Sequence, residues 1–303
     1  MKRAATKNAA IVVFVESGMP VPISERLGGA GRFVLEFRHL LHNSLTRTGA
    51  CEAFDIVACG APETLAQLPD EHVVKAPFRP DPFWDSYEYG KSVACLLDPS
   101  VTSVLERYDA LLRSDTDVFL TSHAVKLIDT DLATDTLFTG RGGYCNDGVA
   151  EKLDEVAQRE GYVASKIVRN VGSTVFGRSA SVLRWARTTE HLLRVLLTKD
   201  FAAGEGEWPG WYRGVSLLYA GEIAANFHHA GRIDRDTFHM DGLSTWRKPI
   251  PANCPHIHCW HTDDVFSKFW WYAGHYDQLP APPDDGTGAN YCFRLAMLAS
   301  RPS

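Results

Sequence analysis

Leu111-Leu112-Arg113-Ser114-Asp115-Thr116-Asp117-Val118-Phe119-Leu120 places two carboxylates two positions apart between apolar runs that read as buried sheet. Burying charge is costly unless it is paired or holds a cation. At the C-terminal end of a strand, both carboxylates face the crevice where open α/β sheets bind ligands. Hard oxygen ligands suit Mg²⁺ or Mn²⁺, and such an ion can in turn hold a diphosphate. The competing reading is an aspartate pair on a solvated turn.

The surroundings of this stretch favour the sheet. Ile11 to Val15 is a continuous apolar run, as expected of a parallel strand covered on both faces. After Gly28-Gly29-Ala30-Gly31, Phe33, Val34, Phe37, Leu40, Leu41 and Leu45 recur at helical spacing. Phe54 to Gly60 and His72 to Lys75 read as strands, and Tyr89 to Leu97 and Val101 to Arg107 as helices. This alternation predicts an α/β fold with an open, mostly parallel sheet flanked by helices. The second half is mixed. Helices are expected over Asp147 to Gln158, Val182 to Leu197, Trp211 to Ala225 and Asp263 to Ala273, with strands over Asn170 to Phe176 and His256 to Trp260. The expected division is 1–140 as a ligand-binding half, 141–279 as the second half of the same domain, and 280–303 as a C-terminal tail whose stretch from Pro280 to Gly288 is loose and rich in Pro, Asp and Gly.

Composition narrows the class. The 303 residues are 45% hydrophobic and 22% charged, as in globular proteins, so disorder and coiled coil are excluded. A net charge of -6 argues against a nucleic-acid partner. Seven cysteines with no CxxC pair read as reduced thiols in a cytoplasmic protein. No run of eighteen apolar residues marks a membrane span. The basic residues before Ala9 to Val15 imitate a signal peptide, but the apolar run is short and ends at Glu16 without a small-residue cleavage site.

An apolar strand, then Asp115-Thr116-Asp117, then Val118-Phe119-Leu120 resembles the DxD motif of nucleotide-sugar glycosyltransferases with the GT-A fold. The likeness in organisation extends from about residue 10 to 275, with DxD its one sharp local match. It implies a GT-A-like sheet and a mixed, acceptor-side second half. It also implies transfer of a hexose or pentose from a UDP- or GDP-sugar, with Mn²⁺ or Mg²⁺ held by Asp115 and Asp117. Phe14 and Glu16 at the first strand, and Asp55 in the second, fall where the family meets the nucleotide. A late histidine commonly completes the ion site, and His258 or His261 matches it.

Other segments carry less specific signals. In Cys254-Pro255-His256-Ile257-His258-Cys259-Trp260-His261, a strand would put His256 and His258 on one face, and a structural zinc site is the rival. Asn170, Gly172, Ser173 and Thr174 resemble the glycine-containing segment beside the donor sugar, and Arg141, Gly142 and Gly143 could serve similarly; ordinary turns explain both equally well. Lys91 in Gly90-Lys91-Ser92 imitates a Walker A end, but Asp85 stands where that motif needs glycine. Glu207 and Glu222 are the acid/base candidates, and Trp211 a stacking platform for an acceptor. Haloacid-dehalogenase, EF-hand, GxSxG and GxGxxG patterns all fail. The expectation is a metal-dependent glycosyltransferase, with a metal-dependent phosphohydrolase acting on a nucleotide or sugar phosphate as the alternative. Asp117→Ala is expected to abolish donor binding while sparing the fold.

Overall fold

The computed structural model describes residues 8–132, 135–259 and 265–300. The strands are β1 (Ala9–Phe14), β2 (Phe54–Gly60), β3 (Val73–Pro77), β4 (Ala110–Arg113), β5 (Val118–Leu120), β6 (Leu137–Arg141), β7 (Val171–Arg178), β8 (Ile233–Asp234), β9 (Gly242–Leu243) and β10 (His256–His258). The helices are α1 (Arg32–Glu36), α2 (Asn43–Arg47), α3 (Pro62–Leu65), α4 (Lys91–Ala94), α5 (Pro99–Leu105), α6 (Asp147–Arg159), α7 (Ser179–Val195), α8 (Ser216–His228), α9 (Lys268–Tyr272) and α10 (Gly288–Ser300). Two compact units result, one of residues up to Phe78, Ser114–Thr130 and Thr237 onward, the other of Arg79–Arg113 and Asp131–Asp236.

Each unit has its own run of paired strands. The first unit supplies β3-β2-β1 in that order, all parallel, with Ala10 opposite Asp55 and Phe14 opposite Cys59. The second unit supplies β4-β7-β6-β8, in which β7 runs antiparallel to β4 and β6. Helices α7 and α8 pack together and cover β7. A smaller sheet lies wholly in the first unit. Its central strand β10 is antiparallel to β5 and parallel to β9.

The helical run after the glycines is continuous, because a π-helical turn, Phe37–His42, joins α1 to α2. Its buried stripe of Val34, Leu35, Phe37, Leu40, Leu41 and Leu45 contains one charged member, Glu36. Entry into α1 requires glycine at position 31, where a Cβ would sit 2.0 Å from the Ser17 carbonyl oxygen.

Several elements depart from expectation. The helix expected from Trp211 starts at Ser216, because Trp211 is held flat between Phe201 and Tyr219. Strand β6 and helix α10 were not anticipated. Alpha-helix α10 buries Ala289, Cys292, Phe293, Leu295 and Ala296, so the loose stretch stops near Gly288. Only Lys268–Tyr272 of the expected 263–273 helix is helical, and residues 263 and 264 lie outside the described residues. Among the described residues, no helix is long and apolar enough to cross a membrane.

Candidate metal centre

The DxD stretch begins where β4 ends. Ser114 N–H donates to the Val12 carbonyl at 3.0 Å, carrying the chain past β1, and β5 takes over at Val118. The small sheet then brings a histidine up to the aspartates. His258 lies opposite Val118, and Cys259 N–H donates to the Asp117 carbonyl at 3.0 Å. A strand's two-residue period turns His256 and His258 to one face, as the sequence predicted. His258 Nε2 lies 3.3 Å from Asp117 Oδ1 and 3.8 Å from Asp115 Oδ2. One ligand atom from each of Asp115, Asp117 and His258 falls within 4.8 Å of the others.

Behind these residues is a buried charge network. Lys268 Nζ lies 2.5 Å from Asp117 Oδ2, leaving Oδ1 for a ligand. Burial opposes ionisation of Asp117, but His258 and Lys268 outweigh it and hold the carboxyl below the usual range. Burial likewise opposes charge on His258, yet Asp117, Asp241 and Asp115 raise its imidazole to about 9. Glu36 accepts a 2.5 Å hydrogen bond from the Thr116 hydroxyl, the middle residue of DxD, and another from the Tyr272 hydroxyl. Burial and the nearby Asp117 push Glu36 up to about 7.

The donor set fits a hard divalent cation. An octahedral ion with ligands near 2.1 Å spans about 4.2 Å between opposite donors, so the 4.8 Å cluster needs only slight closure. Two carboxylates suit Mn²⁺ and Mg²⁺ alike. The rival zinc site is not the cluster that the fold assembles: among the described residues, the ligand atoms that converge belong to Asp115, Asp117 and His258, and neither Cys254 nor Cys259 joins them.

Sequence reading did not single out Glu36, Asp241, Lys268 or Tyr272. Glu36 left a signal, since it interrupts the apolar stripe of a helix that buries its neighbours. The other three left none that spacing could detect.

The remaining candidates are placed as follows. Phe14 and Glu16 stand at the C-terminal end of β1, half-buried. Asp55 faces Ala10, so it lies about 13 Å back along the strands, at ~3.3 Å per residue. His261 lies outside the described residues. In the second unit, the two glycine-containing segments meet. Asn170 Oδ1 accepts from Tyr144 N–H at 2.9 Å and Cys145 N–H at 2.8 Å, and its carbonyl accepts from Gly142 N–H at 2.8 Å. Asn170 does so at φ 56°, a conformation that Asn and Asp tolerate. Gly143 closes this loop beside Gly142, and Arg141 pairs with Asp236. Asn170→Ala should therefore lower stability by about 2 kcal/mol, and Asn170→Asp, which keeps the acceptor, by much less; urea unfolding reads both. Gly172 and Thr174 are buried in β7, and the Ser173 carbonyl accepts from Arg113 at 3.1 Å. Lys91 is buried with its amine 3.5 Å from Asp85. Glu207 is exposed on its loop. Glu222 is fully buried, accepts from the Tyr144 hydroxyl at 2.8 Å and Arg169 at 3.1 Å, and lines a cavity of ≈ 280 Å³ with Asp154 and Asn226. Burial pushes its carboxyl up against those two hydrogen bonds.

The family described as "Domain of unknown function (DUF7164)" matches residues 39–294. The chain belongs to it. That span contains the DxD pair, His258, Asp241 and Lys268. No curated protein matches the chain. Among solved structures, the bifunctional glycosyltransferase WbbM in its apo form is similar, at 10% identity and a TM-score of 0.50, over 96% of this chain and 49% of that one. This chain thus spans about half the length of WbbM. The galactosyltransferase LgtC, in complex with donor and acceptor sugar analogs, is matched over 90% of this chain and 97% of its own at 12% identity and a TM-score of 0.44. An active-site mutant of LgtC is matched over 95% and 94% at 12% identity and a TM-score of 0.49. The neighbours are glycosyltransferases, and the expected GT-A-like fold is the fold observed.

Proposed function

We propose that this chain is a metal-dependent glycosyltransferase that takes its sugar from a nucleotide diphosphate sugar. The observation that carries the reading is the convergence of Asp115, Asp117 and His258 on one point. Mn²⁺ or Mg²⁺ held there would neutralise the charge that develops on a diphosphate leaving group. Asp117 would offer Oδ1 while Lys268 keeps Oδ2, and His258 would offer Nε2 after giving up its proton. Phe14 and Glu16 would meet the nucleotide. The joined loops at Arg141–Gly143 and Asn170–Thr174 would orient the sugar, and Glu207 or Glu222 would handle the acceptor's proton.

Incubation with UDP- and GDP-sugars and Mn²⁺ tests this. Ion-dependent release of nucleoside diphosphate, lost in Asp115→Ala, is the expected result, and the donor consumed identifies base and sugar. Release of nucleoside monophosphate with sugar 1-phosphate would instead establish the phosphohydrolase alternative. Absence of Mn²⁺-dependent UDP or GDP binding in calorimetry would sink the glycosyltransferase reading.

A further inference from the structure

Asp241 occupies an unusual place. Strand β9 pairs with β10 so that Gly242 lies opposite Ile257, which sets Asp241 beside the two histidines that flank Ile257. Its backbone is left-handed, at φ 56°, and its side chain is 5% exposed. The next residue must be glycine, since a Cβ at position 242 would meet Cys254 Sγ at 2.7 Å. One oxygen, Oδ1, lies on the Nδ1 side of both rings, at 3.4 Å from His256 and 3.9 Å from His258; these are charge contacts rather than hydrogen bonds, and His256 Nδ1 is buried with no hydrogen-bond partner. Both imidazoles thereby direct Nε2 away from Asp241. His258 Nε2 faces Asp117 and Asp115, and His256 Nε2 shares a 2.8 Å hydrogen bond with the Ser114 hydroxyl, one residue before the DxD pair.

We infer that Asp241 is the positioning residue of the metal centre: its buried carboxylate, on the Nδ1 side of both rings, biases His258 towards carrying its proton on Nδ1 with Nε2 facing the aspartates, and it stands behind His256, whose Nε2 meets Ser114 just before the DxD pair. This rests on the ion-binding reading above. A carboxylate behind a ligating histidine sets which nitrogen carries the proton and makes the other a better donor to metal. Ser114, His256 and Asp241 resemble a hydrolase triad in their contacts, but Ser114 and His256 are buried at 1% and 0% exposure, so no substrate carbonyl can reach the hydroxyl. Their arrangement serves position.

The test is Mn²⁺ titration by calorimetry on the full chain, without any sugar nucleotide. Asp241→Asn and Asp241→Ala should weaken Mn²⁺ binding by roughly 10- to 100-fold, Ala more than Asn. A readout that a purely structural role would not move is the nitrogen-15 spectrum of His258 loaded with diamagnetic Cd²⁺. Wild type should show the metal on Nε2 and a proton on Nδ1, and Asp241→Ala should show mixed ligation. Wild-type Mn²⁺ binding retained in a folded Asp241→Asn and Asp241→Ala would overturn the inference alone. Failure of the wild-type chain to bind Mn²⁺ would overturn the ion site itself and the inference with it.

Discussion

Asp117→Ala should lose stability as well as ion binding, whereas Asp115→Ala should lose ion binding alone. Read from sequence, the two aspartates are equivalent, and truncating either should spare the fold. The structure separates them. Asp117 is 11% exposed and paired at 2.5 Å with Lys268, itself 9% exposed, while the Asp115 side chain is 31% exposed. Removing one member of a buried pair leaves an uncompensated charge and typically destabilises by 3–5 kcal/mol. Glu36 remains near Lys268 and softens the loss, so about 3 kcal/mol is expected for Asp117→Ala and about 0.5 kcal/mol for Asp115→Ala. Both variants should bind Mn²⁺ more weakly than any variant of Asp241. Urea denaturation and ion titration on the same samples check the pair. Equal stability of the two variants would show that Lys268 is not held by Asp117.

The metal-free protein should lose stability between about pH 5 and pH 8, and Glu36→Gln should flatten that slope. Burial first, and Asp117 second, raise Glu36 from 4.5 to about 7. A carboxyl raised in the folded state binds its proton more tightly there than in the unfolded chain. Its contribution is therefore fully present below 4.5 and is lost as pH rises through 7. The difference of 2.5 corresponds to roughly 3 kcal/mol. Glutamine mimics the protonated form, and its Oε1 and Nε2 still meet the Thr116 and Tyr272 hydroxyls. Denaturation midpoints measured across this range should fall less for Glu36→Gln than for wild type, most clearly between about pH 5 and 6.5, because above 6.5 His258, raised to about 9, adds a fall of its own in both proteins. A level wild-type profile would contradict the placement of Glu36.

Local pattern revealed the parallel half of the fold because each signal there is local. The apolar run before Glu16, the stripe from Phe33 to Leu45 and the run ending at Gly60 each announce one element. The antiparallel β7 read correctly as a strand, but its direction depends on partners far along the chain. Strand β6 went unread because Leu137–Arg141 is short and follows polar residues. Helix α10 was obscured by the Pro- and Gly-rich stretch before it. At the ion site, composition and spacing made the DxD pair and the shared face of His256 and His258 visible. Placing His258 beside the aspartates required the register of β10 on β5, and finding Lys268, Tyr272 and Asp241 required the tertiary fold. Their spacing from the aspartates has no period to recognise.

Those separations govern when the cluster can assemble. Ser114 and His256 are 142 positions apart, Asp117 and Lys268 are 151, and Glu36 and Tyr272 are 236. Contacts this distant close late, because loop entropy must be overcome before they reward it. On the ribosome, the aspartates emerge long before their partners and remain two unpaired charges in an apolar stretch. The ladder between β5 and β10 brings the distant partners within reach, so its formation is the step at which a nascent chain first gathers Asp115, Asp117 and His258 in one place.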